Sequence, residues 1–170
     1  MYVTTQRLEL GPIRPESLDS LVELLTDEVV KRGYMVPDFS DRAEAVKVAL
    51  RLMELSRGND CIMMGIYLEG ELVGILNETE ALGDSVELGY AILPRFHNRG
   101  IGTEVLKGAI GYCFDRGFRE VIAGAFEQNL PSFRVMEKSG MTRLEKTDEI
   151  EYRGKVYRCL YYGITKTGTA

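Results

Sequence analysis

The chain has 170 residues, 45% of them hydrophobic and 28% charged, which is enough for one well-buried domain and short for two. Its 21 basic and 26 acidic residues give a net charge of −5, which argues against a nucleic-acid binder held by phosphate contacts. No apolar run approaches ~18 residues and no basic-then-apolar leader opens the chain, so we expect a cytoplasmic protein without a membrane span.

The first part of the chain is predicted to contain one strand and two helices. A strand over residues 7–13 precedes an amphipathic helix from Ser17 to about residue 32, which Gly33 ends. Asp41 followed by Glu44 is typical of a capping box, and it opens a second helix that ends at Gly58.

The rest of the chain predicts strands, two further helices and a closing hairpin. The segments are strands over 61–68, 72–78 and 86–93, a helix over 101–116, a strand over 120–126, a short helix over 130–139, and strands over 143–152 and 155–165. This order indicates an α/β (α+β) fold, in which a mixed, mostly antiparallel twisted sheet of about seven strands has helices on both faces. We expect residues 1–170 to form this fold as a single domain.

The three cysteines are not expected to carry chemistry. Cys61, Cys113 and Cys159 are odd in number and lack the spacing of metal ligands, so neither a disulfide framework nor a zinc site is predicted. We interpret them as small core residues.

A glycine-rich turn between the strand ending at Leu93 and the next helix is suited to an anion. It reads Pro94-Arg95-Phe96-His97-Asn98-Arg99-Gly100-Ile101-Gly102-Thr103. Gly100 and Gly102 lack Cβ atoms, so an anion can approach amides at the positive end of the helix dipole, and Arg95 and Arg99 add charge. The turn has neither the Gly-Lys-Ser/Thr of a nucleotide P-loop nor the Gly-x-Gly-x-x-Gly of a dinucleotide fold.

Three segments resemble the GNAT superfamily of acyl-CoA-dependent N-acyltransferases. The run His97-Asn98-Arg99-Gly100-Ile101-Gly102 resembles its pyrophosphate loop, Gln/Arg-x-x-Gly-x-Gly/Ala, although His97 replaces Gln or Arg and Asn98 stands where Gly is frequent. Asn tolerates left-handed backbone angles better than most residues. Residues 129–141 resemble the Asn-x-x-Ser…Glu-Lys-x-Gly-Phe stretch. Residues 5–10 resemble the Thr-x-Arg-Leu-x-Leu start of the branch related to ribosomal-protein N-terminal (alanine) acetyltransferases.

The resemblance implies acetyl-CoA as co-substrate, no metal, and a splayed central pair of parallel strands that admits the acyl-CoA. It assigns the diphosphate to the turn, the thioester carbonyl to main-chain amides before it, and the thiol sulfur to Ser132. The cofactor-binding residues implied are Ile92, Leu93, His97, Asn98, Arg99, Gly100, Ile101, Gly102, Thr103, Asn129 and Ser132. Asn129 also suits an N-cap, so helix capping is the alternative interpretation of that residue.

Acyl transfer to an amine requires a neutral amine, a donor toward the developing oxyanion and stabilisation of the departing thiolate. Alternation along the strand before the turn places Glu87 on a face with small residues, so Glu87 is our candidate base; a solvated carboxylate is the alternative. The resemblance places Ser132 beside the thiol, where its hydroxyl would stabilise the thiolate. Many superfamily members use a tyrosine as the acid there, but the short helix contains Phe133 and no tyrosine. His97, the only histidine, is either a base or a loop residue.

The small set of catalytic groups indicates the acceptor. An α-amine, with a pKa of about 7.7–8.0, is partly neutral near pH 7, whereas a lysine-like amine near ~10.4 demands a stronger base. We therefore favour a protein or peptide N-terminal amine, attacked directly in a ternary complex, over a polyamine, amino acid or antibiotic amine. A non-catalytic acyl-CoA-binding module and a phosphosugar or nucleotide binder are further alternatives. Exposed strand edges are compatible with a homodimer.

Overall fold

The computed structural model describes residues 2–167. Its strands are β1 (Val3–Thr4), β2 (Leu8–Gly11), β3 (Met63–Leu68), β4 (Glu71–Leu82), β5 (Ser85–Ile92), β6 (Glu120–Phe126), β7 (Thr142–Tyr152) and β8 (Lys155–Thr165). Its α-helices are α1 (Leu18–Thr26), α2 (Glu28–Lys31), α3 (Arg42–Leu55), α4 (Ile101–Asp115) and α5 (Leu130–Lys138). The strands form one sheet in the order β1-β2-β3-β4-β5-β6-β8-β7, in which only β5 and β6 are parallel. The predicted mixed, mostly antiparallel fold is confirmed.

The helix predicted from residue 17 to about 32 is wrong, because it is interrupted at Asp27. Asp27 has extended backbone angles (φ −73°, ψ 125°), and its carboxylate accepts hydrogen bonds from the amides of Val29 and Val30 at 2.8 and 2.9 Å. A short acidic side chain that satisfies free amides starts a helix of its own. The segment is therefore divided into α1 and α2.

The capping signal before α3 is confirmed in one of its two hydrogen bonds. The Asp41 carboxylate accepts from the Glu44 amide at 2.9 Å, as a capping box requires. The Glu44 carboxylate accepts from the amide and hydroxyl of Ser40, at 2.7 and 2.9 Å, instead of from the Asp41 amide. The return bond thus falls one residue earlier than in the standard motif.

The helix α4 buries the face that the sequence predicts for it. Its buried residues include Val105, Leu106, Ala109, Ile110 and Cys113. Burial raises the pKa of the Cys113 thiol to about 12, so this thiol is inert near neutral pH. Cys159 is also buried and Cys61 is half-buried, in agreement with their interpretation as packing residues.

Two pairs of neighbouring strands are joined by tight hairpin turns. The turn between β3 and β4 has left-handed angles at Glu69 (φ 51°) and Gly70 (φ 85°), and the turn between β7 and β8 repeats them at Arg153 (φ 51°) and Gly154 (φ 72°). Two consecutive left-handed residues match the right-handed twist of the flanking strands. The strand β1 was not predicted, because two residues are too few to show alternation.

The parallel strands β5 and β6 separate after three paired positions. Their pairing runs from Ser85 with Glu120 to Glu87 with Ile122 and then stops. Beyond it, β5 stays paired with β4 and β6 with β8, so each strand is held on its outer side only. The gap between residues 88–92 of β5 and 123–126 of β6, called the wedge below, is the predicted splay, and it is confirmed.

Within residues 2–167, no helix combines the length and apolar character needed to cross a bilayer. The same part of the chain holds no group of three or more His, Cys, Asp or Glu side chains placed to bind a metal ion. The cytoplasmic location stays a prediction.

Candidate active site

The inner edge of β5 presents main-chain groups to the wedge. The Leu93 amide donates to the Val73 carbonyl on β4 at 2.8 Å. Because neighbouring residues of a strand direct their main-chain groups to opposite edges, the groups of Tyr90 and Ile92 point into the wedge. Of the two amides predicted to polarise a thioester carbonyl, the Ile92 amide is therefore available, whereas the Leu93 amide is already bonded within the sheet.

The His97 side chain contacts the last residue of β5 at this edge. Its Nε2 lies 2.8 Å from the Ile92 carbonyl oxygen. A carbonyl only accepts hydrogen bonds, so Nε2 carries the hydrogen and donates it. This contact connects the turn to β5 and removes Nε2 as a proton acceptor, which agrees with the interpretation of His97 as a loop residue.

Residues 97–103, called the glycine turn below, expose a run of amides. Asn98 (φ 60°) and Gly100 (φ 75°) both have left-handed angles, which confirms the conformation expected from the sequence. The first backbone bond of α4 runs from the Glu104 amide to the Gly100 carbonyl at 3.1 Å. The amides of residues 98–103 donate no hydrogen bond to any group in residues 2–167. They lie at the positive end of a 15-residue helix, which is a suitable environment for phosphate oxygens.

The two glycines of the turn also have structural roles. A Cβ atom at Gly102 would lie 3.3 Å from Val135 Cγ2 on α5, so the missing side chain allows α4 and α5 to pack closely. Gly100 is required instead for its positive φ, which L side chains rarely adopt.

The two arginines of the segment, Arg95 and Arg99, also differ in their contacts. The Arg95 guanidinium bonds to the carboxylates of Glu23 on α1 and Glu71 on β4, the latter at 2.9 Å, so its charge is directed away from the glycine turn. The expectation that Arg95 adds charge beside the anion is wrong. Arg99 is exposed, lies 5.4 Å from the Phe96 ring centroid, and has no carboxylate partner among the residues described.

The N-terminal segment holds the glycine turn in place. The Glu104 carboxylate accepts from the Thr5 hydroxyl at 2.6 Å and from the Arg7 amide and Nε at 2.7 Å each. The Arg7 guanidinium also donates to the Arg99 carbonyl through both Nη atoms at 3.1 Å. This network gives the Thr5-Gln6-Arg7 opening a physical role, since it fixes the carbonyl that precedes Gly100 and directs the following amides outward.

Asn129 and Ser132 begin α5 on the other side of the wedge. The Asn129 side-chain oxygen accepts the Ser132 amide at 3.3 Å, so Asn129 is an N-cap, the alternative that the sequence offered. A Cβ atom at Gly33 would lie 2.6 Å from the Asn129 side-chain nitrogen, so this amide packs directly against the loop after α2. Ser132 is half-buried in the first turn of α5.

Tyr90 is the residue that the sequence analysis missed. Among residues 2–167, its hydroxyl is the only buried side-chain nitrogen or oxygen without a hydrogen-bond partner. Burial raises the pKa of Tyr90 to about 12, and the nearby Ser132 hydroxyl opposes that rise without completing a well-formed hydrogen bond. Its position on the strand face occupied by Val86 and Leu88 gave it the appearance of a core residue.

Glu87 lies at the apex of the wedge, on the opposite face of the sheet from Tyr90. It is the last residue of β5 that pairs with β6. Its carboxylate accepts from the Thr79 hydroxyl at 3.1 Å and lies 3.6 Å from Lys146 Nζ, while 19% of its side chain remains exposed. The Lys146 ammonium also lies 4.2 Å from the Tyr161 ring centroid. These contacts orient the carboxylate and leave part of it open to water or an amine.

The loop of residues 33–39, called the strap below, covers the Glu87 face. The Tyr34 hydroxyl donates to the Asn77 side-chain oxygen at 2.7 Å, next to Gly89. The Tyr152 hydroxyl donates to the Val36 carbonyl at 3.0 Å and thereby connects the strap to the β7–β8 hairpin. The strap therefore packs over Gly89, which lies two residues after Glu87 on β5 and on the same face of the sheet.

Ion pairs also connect the strap to α2 and to the β7–β8 turn. Asp38 accepts from Lys31 and Arg153 at 3.0 Å each, and Arg153 also reaches Glu28. The hydrogen bonds from Lys31 and Arg153 hold the pKa of Asp38 below its usual value. Asp38 is therefore ionised at neutral pH and retains both ion pairs there.

Known proteins share the sequence pattern and the fold of this chain. Residues 7–142 match the family model described as acetyltransferase (GNAT) domain. The uncharacterized N-acetyltransferase YnaD of Bacillus subtilis (strain 168) is 25% identical over 147 residues, which cover 84% of each chain. The GNAT-family acetyltransferase from Bacillus anthracis has a TM-score of 0.83 at 23% identity and covers 97% of this chain and 98% of that one. The RimL ribosomal L7/L12 alpha-N-protein acetyltransferase, in complex with coenzyme A, has a TM-score of 0.80 at 18% identity, covering 97% of this chain and 98% of that one. The chain belongs to the GNAT family of acetyltransferases.

Proposed function

We propose that this acetyltransferase moves the acetyl group of acetyl-CoA to a primary amine, which attacks the thioester directly within a ternary complex. The observation that carries the proposal is the wedge itself, which has unbonded amides at its mouth, Ser132 on one face and Glu87 on the other. A thioester placed between these faces is accessible to an amine from the Glu87 side.

The residues present fit coenzyme A. The unbonded amides of residues 98–103 suit the diphosphate, and the Ile92 amide suits the thioester carbonyl. Asn129 and Ser132 border the wedge where the pantetheine arm would end, and His97 and Arg99 lie at its mouth. The chemistry of this donor set requires no metal ion.

Glu87 is the proposed base. An attacking amine loses one proton as its nitrogen forms the new C–N bond, and a carboxylate reached directly or through one water molecule accepts that proton. Thr79 and Lys146 hold the carboxylate in one orientation, so it is present at the apex before the acceptor arrives.

The favoured acceptor is the α-amine of a protein or peptide N-terminus. A single carboxylate base suits an amine with a pKa of about 7.7–8.0 better than one near ~10.4. The name of the RimL neighbour, an alpha-N-protein acetyltransferase, supports the same acceptor class. A small-molecule amine is the second candidate, because the strap narrows the approach to Glu87 through the contacts of Tyr152 and Arg153.

A panel of acceptors tests the proposal. Thiol release from acetyl-CoA is followed with peptides that have free N-termini, with spermidine and with free amino acids. Peptides whose N-terminus is blocked but which contain an internal lysine are the matched control. We expect kcat/KM for free N-termini to exceed that for the blocked peptides at least tenfold. Turnover with spermidine and none with peptides would select the second candidate, and thiol release no faster than hydrolysis with every amine would contradict acetyl transfer.

The assembly state is a separate prediction. The strand β7 lies at one edge of the sheet and pairs only with β8, so its outer edge is open to another chain. Sedimentation equilibrium at micromolar concentration distinguishes the predicted homodimer from a monomer of 19.1 kDa.

A further inference from the structure

A lysine side chain lies beside the proposed base. The Lys146 ammonium is 3.6 Å from a Glu87 carboxylate oxygen and 4.2 Å from the Tyr161 ring centroid. The first distance is longer than a hydrogen bond, and Nζ donates to no other group in residues 2–167. The Lys146 side chain is 42% exposed. Its N–H donors are therefore accessible to a molecule that arrives from solution.

The sheet is built locally to hold this lysine. The pairing of β7 with β8 shifts within residues 143–147, where three residues of β7 lie opposite the single residue Tyr161 of β8. Such a bulge bends a strand and redirects its side chains. A Cβ atom at Gly124 on β6 would lie 2.7 Å from Tyr161 Cε1, so the glycine lets the ring lie against the sheet. The ring then supports Lys146 on the face that carries Glu87.

The Tyr161 ring stays neutral under the ammonium. Tyr161 is buried, and its pKa is raised by that burial and by the neighbouring Asp148 carboxylate. A cation over the face of a neutral aromatic ring is attracted by it. Lys146 is thus held between the ring and Glu87. An ion pair that is this open to solvent adds little stability, so we look for its purpose in the reaction.

The distances define which groups the ammonium can reach. In the proposed reaction the acceptor amine approaches the Glu87 carboxylate to hydrogen-bond distance. Because Lys146 Nζ lies 3.6 Å from the same carboxylate, the amine nitrogen comes within about 7 Å of the ammonium. Successive Cα atoms of a peptide are ~3.8 Å apart, so a charge on its first or second residue can reach Nζ. A carboxylate there is attracted, and a second cation is repelled.

We propose that Lys146 selects acceptors that carry a carboxylate next to the reactive amine, which the ammonium binds as an ion pair while Glu87 receives the amine proton. This inference rests on the proposed function and specifies its acceptor. Two sources supply the required chemistry: a peptide with an acidic residue at its first or second position, and a free amino acid with its α-carboxylate. Peptides with a basic residue there, and polyamines, are disfavoured.

Pairs of acceptors that differ in one charge test the inference. The first pair is a C-terminally amidated peptide with Asp or Asn at its second position, and the second pair is alanine and alaninamide. Thiol release at saturating acetyl-CoA gives kcat/KM for each acceptor, and the charge ratio is the value for the carboxylate-bearing member divided by that for its neutral partner. The pair that responds to the variants below identifies the source of the carboxylate.

Variants of Lys146 should change the charge ratio in a defined order. Lys146→Gln should lower it at least about fivefold, mainly through KM, Lys146→Glu should lower it further, and Lys146→Arg should preserve it. Comparison between enzymes cancels any difference in amine pKa within a pair. Lys155→Gln is the matched control, because Lys155 is an exposed lysine of the same hairpin without an ion pair to the other described residues. It should leave the charge ratio within about twofold of the wild type.

Ionic strength provides a test that needs no variant. The Debye length falls from about 10 Å at 0.1 M salt to about 3 Å at 1 M, so salt screens an ammonium that is open to solvent. For the wild type, the charge ratio should fall at least about twofold between these concentrations. This measurement decides the matter even if a Lys146 variant fails to fold.

The outcomes separate the two proposals. If no amine raises thiol release above hydrolysis, the proposed function fails and this inference fails with it. If amines are acetylated but the charge ratio of both pairs is the same in the wild type and in Lys146→Gln, or does not respond to salt, the role of Lys146 is overturned while the proposed function stands. An equal loss of activity toward both members of each pair would also overturn it, since Lys146 would then only support Glu87.

Discussion

Replacing Glu104 by glutamine tests whether the N-terminal segment holds the glycine turn in its binding conformation. The carboxylate accepts three hydrogen bonds of 2.6–2.7 Å from Thr5 and Arg7. Burial alone raises the pKa of Glu104, but the hydrogen bonds from Thr5 and Arg7 outweigh it, and the net pKa lies below the usual value. The site therefore favours the ionised carboxylate over a neutral amide.

The expected loss follows from these contacts. Hydrogen bonds to a charged group contribute ~1.5–3 kcal/mol each in sheltered positions. The Arg7 side chain is 44% exposed and that of Glu104 16%, so solvent screening reduces the sum, and we expect Glu104→Gln to lower the free energy of unfolding by about 1–2 kcal/mol. Because Arg7 also fixes the Arg99 carbonyl, KM for acetyl-CoA should rise about five- to twentyfold, whereas kcat changes less than about twofold.

Urea unfolding and thiol-release kinetics measure both quantities. Glu16→Gln is the matched control, since Glu16 is exposed and forms no ion pair with the other described residues. The folded-state pKa of Glu104 is lowered, so its contribution is complete above the unfolded pKa of ~4.3 and is lost as pH falls through the folded value. The stability difference between wild type and variant should accordingly shrink below about pH 4. A variant with unchanged KM and a free energy of unfolding within about 0.5 kcal/mol of the wild type would refute the reasoning.

Three further changes test the other parts of the site. Glu87→Gln should lower kcat about 100-fold while the dissociation constant of coenzyme A, measured by calorimetry, stays unchanged; an unchanged kcat would exclude Glu87 as the base. Gly100→Ala should lower the free energy of unfolding in urea by about 1–2 kcal/mol, because Gly100 has a φ of 75°. Gly111→Ala, in α4 with open space where its Cβ would be, should instead raise it by up to about 1 kcal/mol. A change of the same sign in both variants would contradict the strain assigned to Gly100. Asp38→Asn should lower the thermal midpoint at pH 7, and the difference should shrink as the pH falls below about 4, because the lowered pKa of Asp38 makes its contribution complete above ~3.9 and lost on further acidification; a difference that does not shrink on acidification would exclude the ion pair as its cause.

The features predicted correctly are those with a local signal. The apolar spacing of α4 and the left-handed tolerance of Asn98 depend on residues close in sequence, and both are confirmed. The break at Asp27 was missed because the apolar pattern continues across it, although a capping residue competes with the helix at that point. The apolar spacing predicted one continuous helix, whereas the capping residue Asp27 predicts a new helix start. The structure follows the cap.

The features that were missed depend on contacts between distant segments. Arg95 is adjacent to the glycine turn in sequence, but its carboxylate partners come from α1 and β4, so its direction was not predictable from the turn itself. Tyr90 was not singled out, because alternation describes which face a side chain occupies and not whether its hydroxyl finds a partner. Gly102 was interpreted through its neighbours in sequence, whereas its missing side chain accommodates Val135 of α5.

The central claim is that the unbonded amides of residues 98–103 bind the diphosphate of coenzyme A. Titration of the isotope-labelled protein with coenzyme A, followed by amide NMR, observes these groups directly. The account predicts that the largest downfield amide proton shifts fall on residues 98–103 and that pantetheine, which lacks the diphosphate, leaves them nearly unchanged. Saturable binding of coenzyme A that leaves the amides of residues 98–103 unperturbed would contradict the account.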